Sequence, residues 1–465
     1  LTNFFPDLLD ERFVSSFAIY HQRYSTNTFP TWELAQPFRV LAHNGEINTL
    51  KGNVNWMRSH EVRMTSNIMD NHIESIKPIV QPGSSDSAAL DSVFELLVRA
   101  GRDLPMVKTI LIPESWSNKT NIPEPWRAMY SYCNSIMEPW DGPAAIAATD
   151  GRWVIGGMDR NGLRPMRYTI TDDKLLFIGS ETGMVSIDES NIIEKGRIGP
   201  GEMIAVDLAE GRLYKDVEIK DTLAGKNPYE DWVKNIFSLE NITNNKIKKV
   251  EVLSENFLRH LQVSVGQSLE DVELILQPMV ETGKEATGSM GDDTPIAVLS
   301  EGYRGLHHFF RQQFSQVTNP PIDSLRERRV MSLKTRLGNL GNLLEDGATN
   351  DELLVLESPI LLSSEFLSIQ EKWGNESRTI DCTFNIKSDS LPKALTRIKK
   401  KAEEAVREGV SHLVLDDSSV NNDKAPVPMI LATGAVHSYL VENGLRTYTS
   451  INVKSAECLD VHYFA

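Results

Sequence analysis

A chain of 465 residues, 40% of them hydrophobic and 24% charged, is long enough for two or three domains with cores of their own. A formal net charge of −16 argues against nucleic acid or an anionic membrane surface as the main partner. The longest apolar stretch, residues 427–441, is too short to span a bilayer and contains His437. Three cysteines, Cys133, Cys382 and Cys458, have no metal-ligand spacing and cannot all pair, which fits a reducing cytoplasm.

In chain order, residues 13–20 and 39–43 predict short strands that lead into polar motifs. Residues 85–101 predict a helix. Ala89, Leu90, Val93, Phe94, Leu97 and Val98 fall on one face, Ser85 or Asp86 is placed to cap it, and Gly101 to end it. From 144 to 181 the pattern reads as a β-meander with runs at 144–149, 153–158, 166–170 and 175–178, turned at Asp150-Gly151 and Asp172-Asp173. A hairpin at 203–207 and 212–214, turned at Glu210-Gly211, follows. A sheet-rich sandwich covered by helices fits this α+β half. The polar stretch 215–245, broken by Asn227-Pro228, predicts a domain boundary.

Residues 248–265 and 269–280 read as helices, 288–295 as a loop and 302–316 as a further helix. Beyond 378, strands at 379–386, 412–415 and 447–453 alternate with helices at 391–408 and 427–442, and another helix starts near Ala456. This βαβαβ order predicts an α/β unit, a parallel sheet or part of a barrel. The chain opens on Leu1 and stops inside an apolar run, so a piece of a longer protein is expected.

Three groups of polar residues carry chemistry. In His43-Asn44-Gly45-Glu46-Ile47-Asn48, a carboxamide and a glycine N–H unshielded by a Cβ can together hold an oxyanion, although Asn-Gly alone most often marks a tight turn. Arg23, in His21-Gln22-Arg23-Tyr24-Ser25-Thr26, can grip a carboxylate with two parallel hydrogen bonds or serve in an ordinary ion pair. Asp86, in Pro82-Gly83-Ser84-Ser85-Asp86-Ser87, can accept from a ligand ammonium group or act as a helix cap. One ligand has a handle for each: an amino acid with a side-chain carbonyl, such as glutamine.

These residues resemble the N-terminal-nucleophile (class II) glutamine amidotransferases, and within them the glutamate synthase large-chain family. Residues 23–28, 34–38, 43–56 and 82–87 carry that resemblance in the first half. Asp159-Arg160-Asn161-Gly162-Leu163-Arg164-Pro165 resembles the family's Asp-x-x-Gly-x-Arg-Pro element, read as structural. Residues 288–295, 310–314, 318–323 and Leu362-Ser363 resemble its central domain.

The resemblance implies the C-terminal portion of an αββα sandwich over residues 1–225, a linker at 226–245 and a βα-rich, partial-barrel-like central domain from 246 to 465. It implies an oxidoreductase that hydrolyses L-glutamine, passes the ammonia inward and reductively aminates 2-oxoglutarate to glutamate. Asn44 and Gly45 would form the oxyanion hole, and Arg23 and Asp86 would bind the glutamine α-carboxylate and α-amine. FMN and an iron–sulfur cluster would be bound outside these residues. NADPH or ferredoxin would be the electron source, with a small NAD(P)H-oxidising subunit or ferredoxin as partner. The family's nucleophile is an N-terminal cysteine. No cysteine precedes Cys133, so the nucleophile is expected outside this chain, and the fragment alone is expected to be inactive.

Other features read as bland. Gly338-Asn339-Leu340-Gly341-Asn342 fits a turn better than a phosphate loop, His307-His308 lacks a partner at i+4, and the basic run 397–401 reads as a solvated helix face. The rivals are another class II amidotransferase, whose acceptor-domain motifs are missing from residues 240–465, and a non-catalytic subunit that kept the fold.

Overall fold

The computed structural model describes residues 2–24, 28–243, 252–285, 297–302, 304–311, 322–347 and 352–465. They fall into two compact units. The first joins Leu1–Asn235 with Asp323–Ser332 and Gly341–Asn350; the second joins Ile236–Ile322 with Leu333–Leu340 and Asp351–Ala465.

In the first unit, β1 (Leu41–Gly45) is followed by helices α1 (Leu50–Glu61), α2 (Asp86–Arg99), α3 (Leu104–Leu111) and α4 (Glu124–Ile136). Strands β2 (Ala144–Thr149), β3 (Trp153–Met158), β4 (Arg167–Thr171), β5 (Leu176–Gly179), β6 (Ile192–Arg197), β7 (Met203–Asp207) and β8 (Arg212–Tyr214) then precede α5 (Asp216–Lys226). One sheet has the antiparallel order β1-β2-β3-β7-β8 and a second the order β5-β4-β6.

Strand periodicity assigns the two faces. Leu41, Ile146, Ile155 and Ala205 pack with α2, α3 and α4 in the main core, while Ala145, Met158 and Ile204 pack against Tyr168, Leu176 and Ile178 of the second sheet. The layers run helix, sheet, sheet, three layers of the αββα sandwich.

Two expectations fail here. Residues 13–20 form no strand, and Phe13 and Val14 are exposed. A β-prone run without a neighbouring strand to take its hydrogen bonds does not hold. The expected meander is divided, because residues 159–165 carry the chain from β3 in one sheet to β4 in the other.

The second unit is α/β. Strands β9 (Ile236–Ser238), β10 (Thr335–Leu337) and β11 (Leu353–Leu356) form a small sheet. Beyond them come β12 (Ser377–Asp381), β13 (Thr383–Asn385), β14 (His412–Asp416), β15 (Lys424–Pro426) and β16 (Ser450–Lys454). β12, β14 and β16 lie parallel in that order, joined by helices Leu391–Arg407 and Met429–Glu442, as the alternation predicts. Ile398, Ala402, Val436 and Leu440 of those helices close over Leu413 and Leu415.

The expected single strand 379–386 breaks at Cys382, and β13 leaves to pair with β15. Arg397 donates to the carbonyls of Asp381 (3.1 Å) and Thr383 (2.5 Å) on both sides of that break. The first residue of the basic run is therefore a structural donor. Of the helix expected at 302–316, the described residues show a 3-10 turn at Leu306–Phe309, and 303 and 312–316 lie outside them. The motifs at 288–295 and 318–321, like Ser25, Thr26 and Asn27, lie outside the described residues.

Candidate functional site

The edge strand β1 holds the Asn-Gly motif, and the parity of its ladder decides which N–H groups face outward. Gly45 stands opposite Ala144, but Ala144 directs both of its backbone groups at Asp159: its N–H donates to Oδ1 (3.1 Å) and its carbonyl accepts from the Asp159 N–H (3.0 Å). Gly45 and Ala144 are therefore a pair without mutual hydrogen bonds. The odd-numbered N–H groups of β1 point off its free edge.

Side chains take those groups along most of the edge. Leu41 N donates to Asp91 Oδ1 (2.9 Å), His43 N to Gln36 Oε1 (2.7 Å) and, past the strand end, Ile47 N to Asp86 Oδ2 (2.9 Å). Between them, the Gly45 N–H has no partner among the described residues. The Asn44 side chain beside it is exposed.

Helix α2 supplies most of this support. Ser85 caps it, its hydroxyl accepting from Ala88 N (3.1 Å). That leaves Asp86, the first helical residue, free to face β1. Asp91, one and a half turns on, is 4% exposed and also accepts from Val40 N (2.9 Å) and Arg39 N (3.2 Å). Burial raises its carboxyl above the usual range, and those N–H groups hold it back.

Glycine at 45 is a matter of space. A Cβ there would stand 1.7 Å from the Pro143 carbonyl oxygen and 2.8 Å from His43 Nε2. Pro143 O already accepts Glu46 N (2.9 Å), so the strand cannot move away without losing that bond.

His43 is 2% exposed, and its Nδ1 lies 2.8 Å from Ser87 Oγ. Its Nε2 has no hydrogen-bond partner among the described residues. Burial lowers its pKa to about 4. The charges of Arg164 and His21 push the same way, while Asp86 and the nearby Pro143 carbonyl favour the proton. His21 and Arg164 are thus close enough to act on the same ring as Asp86.

The 159–165 loop is anchored beside this strand end. Asp159 is 1% exposed, its Oδ2 accepts Asn161 N (2.8 Å), and its carbonyl accepts Gly201 N (2.8 Å). Arg164 Nε is buried and unpaired among the described residues.

Arg23 is placed differently. It is exposed, on an irregular segment tied by the Tyr24–Ala35 bridge, and its backbone N–H donates to His21 Nδ1 (3.0 Å). The structure brings together Asn44, Gly45 and Asp86; no contact among the described residues ties the Arg23 guanidinium to them.

Residues 1–232 match the family Glutamine amidotransferases class-II, and residues 260–465 match the Glutamate synthase central domain. The large chain of NADPH glutamate synthase from Azospirillum brasilense is 60% identical over all of this chain, which covers 31% of that protein. The chloroplastic ferredoxin-dependent enzyme of Spinacia oleracea is 44% identical over 99% of this chain and 29% of its own length. The Bacillus subtilis NADPH large chain is 42% identical over 99% and 30%. The chain belongs to the glutamate synthase large-chain family.

As a member of the glutamate synthase family, the chain spans less than a third of the length of these relatives. Cys133 is enclosed in the core by α4, and burial pushes its thiol up to about 12, which makes it a poor nucleophile. Cys382 and Cys458 lie in the second unit, raised by burial to about 12 and about 11. Among the described residues no group of three His, Cys, Asp or Glu side chains could hold a metal ion. Three thiols are one short of the four that hold an iron–sulfur cluster, and no helix among the described residues is long and apolar enough to cross a membrane.

Four supporting residues escape a sequence reading: Gln36, His43, Ser87 and Asp91. Three of them stand within or beside the motifs, but only the fold shows which N–H or ring nitrogen each one meets. Asp91 carries one available signal, a carboxylate that with Ser92 interrupts the apolar face of residues 89–98.

Proposed function

We propose that residues 1–232 form the glutamine site of a glutamate synthase. The observation that carries this reading is the open Gly45 N–H, left free on an edge whose neighbouring N–H groups are all engaged, with the Asn44 carboxamide beside it. Two such donors hold the oxygen of a tetrahedral intermediate as its charge develops, and each is worth roughly 10²–10³ in rate. Asp86 spends one carboxylate oxygen on Ile47 N and offers the other to the substrate ammonium group. Arg23 takes the α-carboxylate, which requires its segment to approach the strand end in the complete enzyme.

The nucleophile is a cysteine supplied from residues outside this sequence. It attacks the side-chain amide carbonyl, ammonia leaves, and water hydrolyses the acyl-enzyme. The ammonia passes to 2-oxoglutarate, and two-electron reduction of the resulting imine gives glutamate; none of the described residues would hold FMN or an iron–sulfur cluster, which would supply those electrons from other parts of the protein. NADPH is favoured over ferredoxin as the electron source, because the relative at 60% identity is an NADPH enzyme. A pyridine-nucleotide-oxidising subunit would then be the partner and the cytoplasm the compartment.

The test is Asp86→Ala in the complete enzyme, assayed with glutamine and with ammonia as alternative nitrogen donors. The KM for glutamine should rise at least about tenfold, the loss of one charge-assisted contact, with ammonia-dependent turnover nearly unchanged. Equal loss of both activities would remove Asp86 from the glutamine site.

A further inference from the structure

Ser87 and His43 lie between the two halves of this site. Ser87 Oγ is 3.3 Å from Asp86 Oδ1 and 2.8 Å from His43 Nδ1. Both side chains are buried, at 3% and 2% exposure. The imidazole ends beside Gly45: Nε2 is unpaired and 2.8 Å from the point a Cβ on Gly45 would occupy. The two carboxylate oxygens of Asp86 therefore lead into β1 by separate routes. Oδ2 holds Ile47 N directly, and Oδ1 reaches the ring beside Gly45 through Ser87.

We propose that Ser87 and His43 are positioning residues that couple recognition of the substrate amine at Asp86 to the placement of the Asn44-Gly45 oxyanion donors. This rests on the glutamine-site reading above. The Ser87 hydroxyl has one proton and two acceptors in reach, Asp86 Oδ1 and a neutral His43 Nδ1. An ammonium group bound at Asp86 occupies that carboxylate and turns the hydroxyl proton toward His43. The ring is then held from Nδ1, beside the glycine whose N–H must point at the oxyanion. With no amine on the ligand, the proton stays divided between the two acceptors and the ring is held less firmly. The charged groups that face His43 are Asp86 on α2, Arg164 on the 159–165 loop and His21 on the segment before Arg23.

The experiment uses Ser87→Ala in the complete enzyme, with His43→Gln as a second variant in case the first perturbs the opening turn of α2. Each is assayed with glutamine, with ammonia, and with glutaramate, the same amide without the α-amine. With glutamine, kcat should fall about tenfold or more while KM moves less than about twofold, the mark of a misplaced donor rather than a lost binding contact. Ammonia-dependent turnover should persist, reporting a folded enzyme. With glutaramate, which leaves Asp86 unengaged, variant and wild type should turn over at the same low rate.

An equal fractional loss on both amides would reduce the pair to a purely structural role and overturn the coupling. An unchanged kcat with glutamine would overturn it as well. Asp86→Ala and Asn44→Ala measured alongside separate the two levels of failure. If they behave as the glutamine site requires and Ser87→Ala does not, only the coupling falls; if they too are silent, the site itself is wrong.

Discussion

At the scale of single residues, the site depends as much on missing atoms as on present ones. Gly45→Ala would drive a methyl group into Pro143 O and His43 Nε2, so the Gly45 N–H must swing away from its outward direction. The expected result is a loss of glutamine-dependent kcat of about 10²-fold or more, with ammonia-dependent turnover retained. Asn44→Ala removes the second donor from an exposed side chain and should lower kcat by a similar factor of about 10²–10³ while KM for glutamine stays close to wild type. A rise in KM with unchanged kcat would show that Asn44 binds ground-state substrate instead. The types of these residues were legible in the sequence: a glycine after an amide, an acid at a helix start. Their hydrogen-bond directions were not, because outward and inward N–H groups alternate along a strand, and only the pairing partner says which set is which.

At the scale of elements, α2 is a clamp on β1, with Asp86 and Asp91 holding N–H groups at the two ends of one strand. Asp91→Ala leaves Val40 and Leu41 N–H groups buried and unpaired, which should cost about 2–4 kcal/mol, read as a lower urea midpoint. Asp91→Asn, which keeps one acceptor oxygen, should lose less. Helix α3 carries the opposite kind of residue. Lys108 is 1% exposed, and among the described residues its ammonium group donates only to Gly201 O, at 3.4 Å. Burial, with Lys220 nearby, lowers its pKa to about 8. The folded state thus disfavours the proton: the penalty is full below pH 8 and fades as pH rises toward 10.5. Lys108→Met should raise Tm at pH 7, by up to about 3 kcal/mol in stability, and make little difference near pH 10.5. A variant less stable at pH 7 would refute that sign.

The sequence made α2 readable because its apolar residues keep helical spacing. It hid α1, whose buried residues include Asn53, Ser59, His60 and Glu61, and α3, which is buried all round and has no polar face to set its period. Strands β2, β3, β7 and β8 were visible as runs, yet their division from β4 and β5 was not. Neighbouring strands in sequence belong here to different sheets, and no local pattern marks the change.

At the scale of the whole molecule, the second unit has a pH dependence of its own. Asp417, just past the end of β14, is 2% exposed. It accepts from the Ser455 hydroxyl, but burial, with the charges of Glu457 and Asp416, raises it to about 6. Its folded pKa lies above that of the unfolded chain, so the ionised carboxylate lowers stability increasingly from about pH 4 to pH 6 and fully above. Asp417→Asn should raise Tm above pH 6.5, and the difference should close by about pH 4. A constant difference across that range would mean the residue does not titrate in the fold. Neither this acid nor the interleaving of the two units could be read from the chain. Asp417 follows another aspartate in a polar run, and residues 323–350 carry nothing that assigns them alternately to one core and the other.

That interleaving sets an order of events during synthesis. Leu343 and Leu344, 1% and 3% exposed, complete the main core of the first unit. Arg102, 6% exposed, pairs with Asp346 and donates to Leu343 O (2.9 Å) and Glu345 O (3.2 Å). At about 5–20 residues per second, the ribosome needs roughly ten seconds to move from residue 235 to residue 350. For that interval the first unit exists as a nascent chain without Leu343 and Leu344 in its core and without the carboxylate that pairs with Arg102, a natural client for a chaperone. Stalled chains ending at 235 should be protease-sensitive around α2 and α4, and chains extended past 350 should be resistant.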